Sequence, residues 1–167
     1  STHAKIVSDN KYLKVKQSVR DACLANACGR SGRCWTCPPY VGEFEALGNI
    51  LLSYTNVILI QYIAPLEDSW DFEGMAEASK KHNIIMRELR SRLENLNGGI
   101  DNLTLGCGGC GFCETCTCPD EPCRFPEKAL GSVEGYGLDV KALVESVGLQ
   151  YINGANTVSY VGAVFVR

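Results

Sequence analysis

Long apolar stretches are missing from this chain of 167 residues. The run Val57 to Ile60 covers four positions, against the roughly 20 that a membrane-spanning helix needs. No basic segment followed by an apolar stretch opens the chain, so no secretion signal is expected. Charge of one sign is equally scarce. The 16 Lys and Arg are outnumbered slightly by 19 Asp and Glu, a formal net charge of −3, which gives no reason to expect nucleic acid or an anionic membrane as partner. Phosphate-cradling motifs are lacking too: no G-x-x-x-x-G-K-[ST] occurs, and no G-x-G-x-x-G leads from a strand into a helix. Only two histidines are present. His3 falls where a terminus frays, and His82 falls on the apolar stripe of a helical pattern, where a hydrogen-bonded boundary residue is expected. No fixed-period repeat or low-complexity linker divides the chain. With 46% hydrophobic residues it can bury a core, and residues 1–167 are expected to form one domain.

What is abundant is cysteine, ten in all. An even count permits a disulfide framework, but such frameworks belong to small secreted domains without an adequate core. Here the thiols crowd into two loops instead of tying distant segments together, a pattern that in a reducing cytoplasm points to metal.

The segments between these loops have clear periods. Lys11 to Arg20 alternates, with Leu13, Val15 and Val19 opposite Lys14, Lys16, Ser18 and Arg20, which reads as a half-buried strand entering Cys23. Phe44, Leu47, Leu51 and Tyr54 recur at helical spacing. "NVILIQYIA" reads as a strand covered on both faces. Asp68 to Leu96 carries the longest helical pattern, stopped by Asn97-Gly98-Gly99. A short strand at Asn102 to Leu105 delivers the second cysteine loop. Asp139 then caps a helix bearing Val140, Leu143, Val144 and Val147, ended by Gly148, and "TVSYVGAVFVR" closes as a strand. The alternation predicts an α/β fold with a mixed sheet of about four strands, three helices and two cluster loops.

In the second loop Cys110, Cys113, Cys116 and Cys123 follow C-x2-C-x2-C-x6-C. Cys-x-x-Cys turns let successive thiolates converge on one inorganic core. Gly106, Gly108, Gly109 and Gly111 permit tight turns and close approach of peptide N–H groups, whose dipoles favour a negatively charged cluster. The run resembles the bacterial ferredoxin pattern C-x2-C-x2-C-x3-C-P without matching it. Ligation by Cys107 or Cys118 therefore stays open. Zinc held by four thiolates is the alternative, although its Cys pairs commonly stand farther apart.

In the first loop Cys23, Cys28, Cys34 and Cys37 read C-x4-C-x5-C-x2-C. This suits a second thiolate centre, a zinc knuckle, or a redox-active Cys34-Trp35-Thr36-Cys37 dithiol. The dithiol would need a following helix to lower a thiol pKa, and Pro38-Pro39 disfavours one. Together, "CGRSGRCWTCPPY" and "CGFCETCTCPDEPCRFPEKALGSVEGYGLDV" resemble the cysteine-rich family of predicted metal-binding proteins, a domain of unknown function common in anaerobic bacteria and archaea. The resemblance runs from the Cys23 region to the terminal strand. It implies ligands at Cys23, Cys28 and Cys37 in one loop and at Cys110, Cys113, Cys116 and Cys123 in the other. Cys34, Cys107 and Cys118 stand outside that pattern.

These readings point to a cytoplasmic protein binding one or two [4Fe–4S] clusters and carrying electrons in anaerobic redox metabolism, with a protein redox partner and neither nucleic acid nor membrane. Two alternatives remain. If only Cys23, Cys28 and Cys37 hold the first cluster, an open iron would act as Lewis acid or sulfur acceptor, with Arg30, Arg33 and Tyr40 near enough in sequence to orient an anion. Otherwise the thiols hold structural zinc in an interaction module. Lys80, Lys81, Arg87, Arg90 and Arg92 read as a solvated helix face, and Trp70 and Phe72 as core or partner surface.

Overall fold

The computed structural model describes residues 1–7 and 13–167. In chain order the elements are β1 (Thr2–Val7), α1 (Gln17–Leu24), α2 (Phe44–Leu52), β2 (Asn56–Pro65), α3 (Phe72–Glu94), β3 (Asn102–Leu105), α4 (Val140–Glu145) and β4 (Thr157–Val166). A single 3-10 turn, Pro126–Lys128, interrupts the second cysteine loop. The strands form one sheet in the order β1-β2-β4-β3.

The apolar runs predicted as covered strands are the two central ones. Leu59 of β2 lies opposite Ala163 of β4, and the residues alternate between two buried faces. Ile58, Ile60, Val164 and Val166 face α3, where they meet Ile85, Met86, Leu89 and Leu93. Val57, Leu59, Val161, Ala163 and Phe165 face the other way, into a core with Leu51 of α2 and Leu143 and Val144 of α4. With helices on both faces, each strand needs apolar residues at every step, which explains the unbroken runs. Each fully buried Leu or Phe in these layers contributes about 1.5–3 kcal/mol relative to exposure.

The caps hold as expected. The Asp139 side chain accepts from Ala142 N–H at 3.0 Å. Asp71 does the same for α3, from Gly74 N–H at 2.8 Å, so that helix starts a little later than its periodicity suggests.

Three expectations are corrected. Every strand pairing is antiparallel, so the sheet is not mixed; hydrophobic period carries no information about strand direction. The strand predicted over Lys11 to Arg20 does not form among its described residues. Val15 makes one isolated bridge to Leu138, and the chain enters α1 at Gln17; Lys11 and Tyr12 lie outside the described residues. The buried face of α1 includes an arginine, Arg20, whose guanidinium donates to the carbonyls of Gly135 and Gly42. Satisfying that buried charge with carbonyls anchors the helix, and a polar anchor leaves no apolar stripe to read. Finally, His3 lies in β1, paired to Gln61, not in a frayed end.

Candidate metal centre

The ten cysteines all carry free thiols, and the two loops bring nine of them to two adjoining cavities. Cys23 ends α1. The chain then reverses through Asn26, which adopts φ +62° and accepts from Ser31 N–H at 2.9 Å through its side chain. A backbone bond from Gly32 to the Pro38 carbonyl, 2.9 Å, folds the loop back so that Cys28 and Cys37 rejoin Cys23. These three line a first cavity of about 400 Å³, together with Cys107 from the second loop, Glu134, Tyr151 and Tyr160.

The second cavity is lined by Cys110, Cys113, Cys116 and Cys123, with Cys34 arriving from the first loop. It is narrow, at about 30 Å³, so its thiols define what it holds more than its free volume does. Gly111 makes the Cys110-to-Cys113 turn at φ +61°, a left-handed conformation costly for a residue with a side chain. Gly106 has a different reason. A Cβ there would overlap the Asn83 carboxamide of α3, and that carboxamide donates to the Cys107 carbonyl at 3.0 Å and accepts from Cys107 N–H at 3.0 Å.

Of the residues the sequence singles out, Cys23, Cys28 and Cys37 line the first cavity, and Cys110, Cys113, Cys116 and Cys123 line the second. The three extra cysteines have distinct places. Cys107 crosses to the first cavity and Cys34 to the second. Cys118 is buried beside the Gly32 carbonyl at 4.0 Å, lining a neighbouring cleft with Cys116, Arg30 and Arg33.

Cys34 and Cys37 belong to different cavities yet share a turn. Cys37 N–H donates to the Cys34 carbonyl at 3.0 Å. The neighbouring Cys37 side chain favours the Cys34 thiolate, helped by the Thr36 hydroxyl 3.3 Å away, and Cys34 in turn pushes Cys37 toward the thiol. Burial pushes Cys23 upward, followed by the charges of Glu134 and Cys28, with Arg20 opposing. Burial likewise pushes Cys107 up to about 12; its thiol meets Ser79 Oγ at 3.6 Å and Asn83 Oδ1 at 3.7 Å. Burial raises the Glu134 carboxyl to about 7, against its own N–H and the Ser132 hydroxyl, and its Oε2 is enclosed without a hydrogen-bond partner.

Helix α3 supplies groups that periodicity assigned to solvent. Arg87 donates to the carbonyls of Lys128 and Cys110 and stands 3.5 Å from Cys110 Sγ; its guanidinium also covers the Phe112 ring. Arg90 donates to the carbonyls of Ala129 and Glu127. Asn83, Arg87 and Arg90 share one helical face by their spacing, and that face grips the second loop. Their i, i+4, i+7 spacing was the available signal. Of the residues considered for orienting an anion, Arg30 lines the second cavity and a cleft that also holds Cys28, Arg33 lines the cleft by Cys118, and Tyr40 meets Trp35 edge-on. Trp70 and Phe72 are 76% and 67% exposed, touching each other edge-on, so they are surface and not core.

Among the described residues no three His, Cys, Asp or Glu side chains close on a point tightly enough to hold a single metal ion, and no helix is long and apolar enough to cross a membrane. The donor chemistry nevertheless fits a soft, thiophilic metal, because the clustered groups lining both cavities are thiols. A family model described as predicted metal-binding protein (DUF2284) matches residues 7–166. No curated protein and no solved structure matches the chain.

Proposed function

We propose, from the premise that this chain belongs to the DUF2284 family of predicted metal-binding proteins, that it is an iron–sulfur protein passing electrons between two adjacent [4Fe–4S] centres. Cys23, Cys28 and Cys37 would hold the first, and Cys110, Cys113, Cys116 and Cys123 the second. When bound, such clusters supply one-electron redox chemistry at potentials from about −700 to +450 mV, tuned by hydrogen bonds, charge and burial.

The observation that carries this reading is the four-residue turn from Cys34 to Cys37. It places one thiol in each cavity, its backbone closed by Cys37 N–H donating to the Cys34 carbonyl at 3.0 Å. Two centres flanking that turn would lie close together, and electron tunnelling falls steeply with distance. The C-x2-C-x2-C spacing of the second site favours a polynuclear cluster over zinc. Arg87, close to Cys110 Sγ, would offset cluster charge and favour the reduced state. Phe112 and Phe125 meet edge-on at the mouth of the second cavity, each 42% exposed; this apolar rim is where a redox partner protein would dock, in a reducing cytoplasm.

Anaerobic reconstitution tests the reading. Two clusters correspond to roughly eight iron and eight sulfide per chain, with a brown visible band bleached by dithionite. Stoichiometric zinc with no sulfide in a colourless protein overturns it.

A further inference from the structure

The first cavity offers three thiols at the positions its loop provides, which leaves one coordination position of a [4Fe–4S] centre to be filled. Two residues line the cavity and qualify, Cys107 and Glu134. Their states differ. Cys107 is occupied elsewhere: its sulfur is held by Ser79 and Asn83 of α3, and its backbone is clasped by the same Asn83. Glu134 is placed by the turn that follows Ser132, where Gly135 N–H donates to Ser132 Oγ at 2.9 Å. That turn sets Glu134 in the wall of the cavity and leaves Oε2 enclosed with no hydrogen-bond partner. A buried carboxylate oxygen without a donor or cation is costly. Its field already reaches Cys23, and Arg20, the buried guanidinium among the described residues, is spent on two carbonyls.

We infer that Glu134 supplies the fourth donor to the first centre, a carboxylate oxygen beside the thiolates of Cys23, Cys28 and Cys37. This rests on the reading of the first cavity as a cluster site. A hard carboxylate binds iron less tenaciously than thiolate does, so the first centre has one exchangeable position facing the cavity while the second is closed by four cysteines.

The test compares reconstituted wild type, Glu134→Gln, Glu134→Asp and Cys107→Ser by iron count, EPR of the reduced state and Mössbauer spectroscopy. Glu134→Gln is expected to change the signal of the first centre and leave that of the second unchanged. Glu134→Asp should restore most of the wild-type signal, and Cys107→Ser should leave both signals intact. In wild type itself, added 2-mercaptoethanol should displace the carboxylate and shift only the first signal. An unchanged spectrum in Glu134→Gln, or the shift appearing in Cys107→Ser instead, overturns the assignment. A Cys23→Ser/Cys37→Ser double variant separates the two levels. If it retains the full wild-type iron content, the cluster reading of this cavity fails and Glu134's role fails with it. If it loses one cluster while Glu134→Gln and 2-mercaptoethanol change nothing, only the role of Glu134 fails.

Discussion

His82 illustrates how one buried side chain sets a pH limit on the whole fold. It is fully buried in α3, and its Nε2–H donates to the Ile60 carbonyl at 3.3 Å, tying helix to sheet. Burial lowers its pKa, outweighing the opposing pull of that carbonyl. A histidine depressed in the folded state favours folding while neutral. Its contribution is intact above the unfolded value of about 6.5 and is lost as pH falls below it. Urea midpoints measured from pH 8 to pH 5 should therefore decline below about pH 6.5, and His82→Gln should decline less steeply over that window. Parallel curves for the two proteins would show that some other group carries the acid sensitivity.

Among the elements, the join between α3 and the second loop makes the sharpest prediction. Arg87→Met keeps the apolar stem but removes every donor to the Lys128 and Cys110 carbonyls. The expected loss is about 1.5–3 kcal/mol, the range for hydrogen bonds involving a charged group, visible as a lower urea midpoint. Arg87→Lys should recover only part of it, because an ammonium cannot fork between two carbonyls. Full recovery with lysine would mean that charge alone matters. This join also marks how far the sequence could be read. Both core strands, β3, α2, α3 and α4 were legible because burial on them follows period two, period 3.6 or an unbroken run. α1 was not, because Arg20 interrupts its apolar face and the preceding alternation of Leu13, Val15 and Val19 imitates a strand. β1 is exposed along most of its length, so nothing in its burial marks it as a strand. Thiol spacing revealed two groups of cysteines but not the crossing of Cys34 and Cys107 between them, which depends on how the loops fold against each other. Arg87 and Arg90 carry the signature of solvated residues until a loop is laid over them.

For the molecule as a whole, loading and folding are one equilibrium. Both loops are held to the layers by a limited set of hydrogen bonds from α1 and α3, and metal that binds only the folded arrangement adds its binding energy to stability. At a free metal concentration a thousand times the dissociation constant, that addition is about 4.1 kcal/mol, worth roughly 8–16 °C for a chain of this size. Anaerobic thermal unfolding before and after chelation should differ by that much. Identical melting temperatures would mean that the loops keep their shape without metal.

Asn83 grips the backbone at Cys107 and Arg87 grips it at Cys110, one turn apart on the same helix. The pitch of α3 is thus the ruler that fixes the interval between the loop's contribution to one cavity and its contribution to the other. An inserted residue between these two grips would swing the later one by about 100° and disturb the thiol spacing of both cavities at once. Lengthening the Gly98-Gly99 turn beyond the helix would disturb neither.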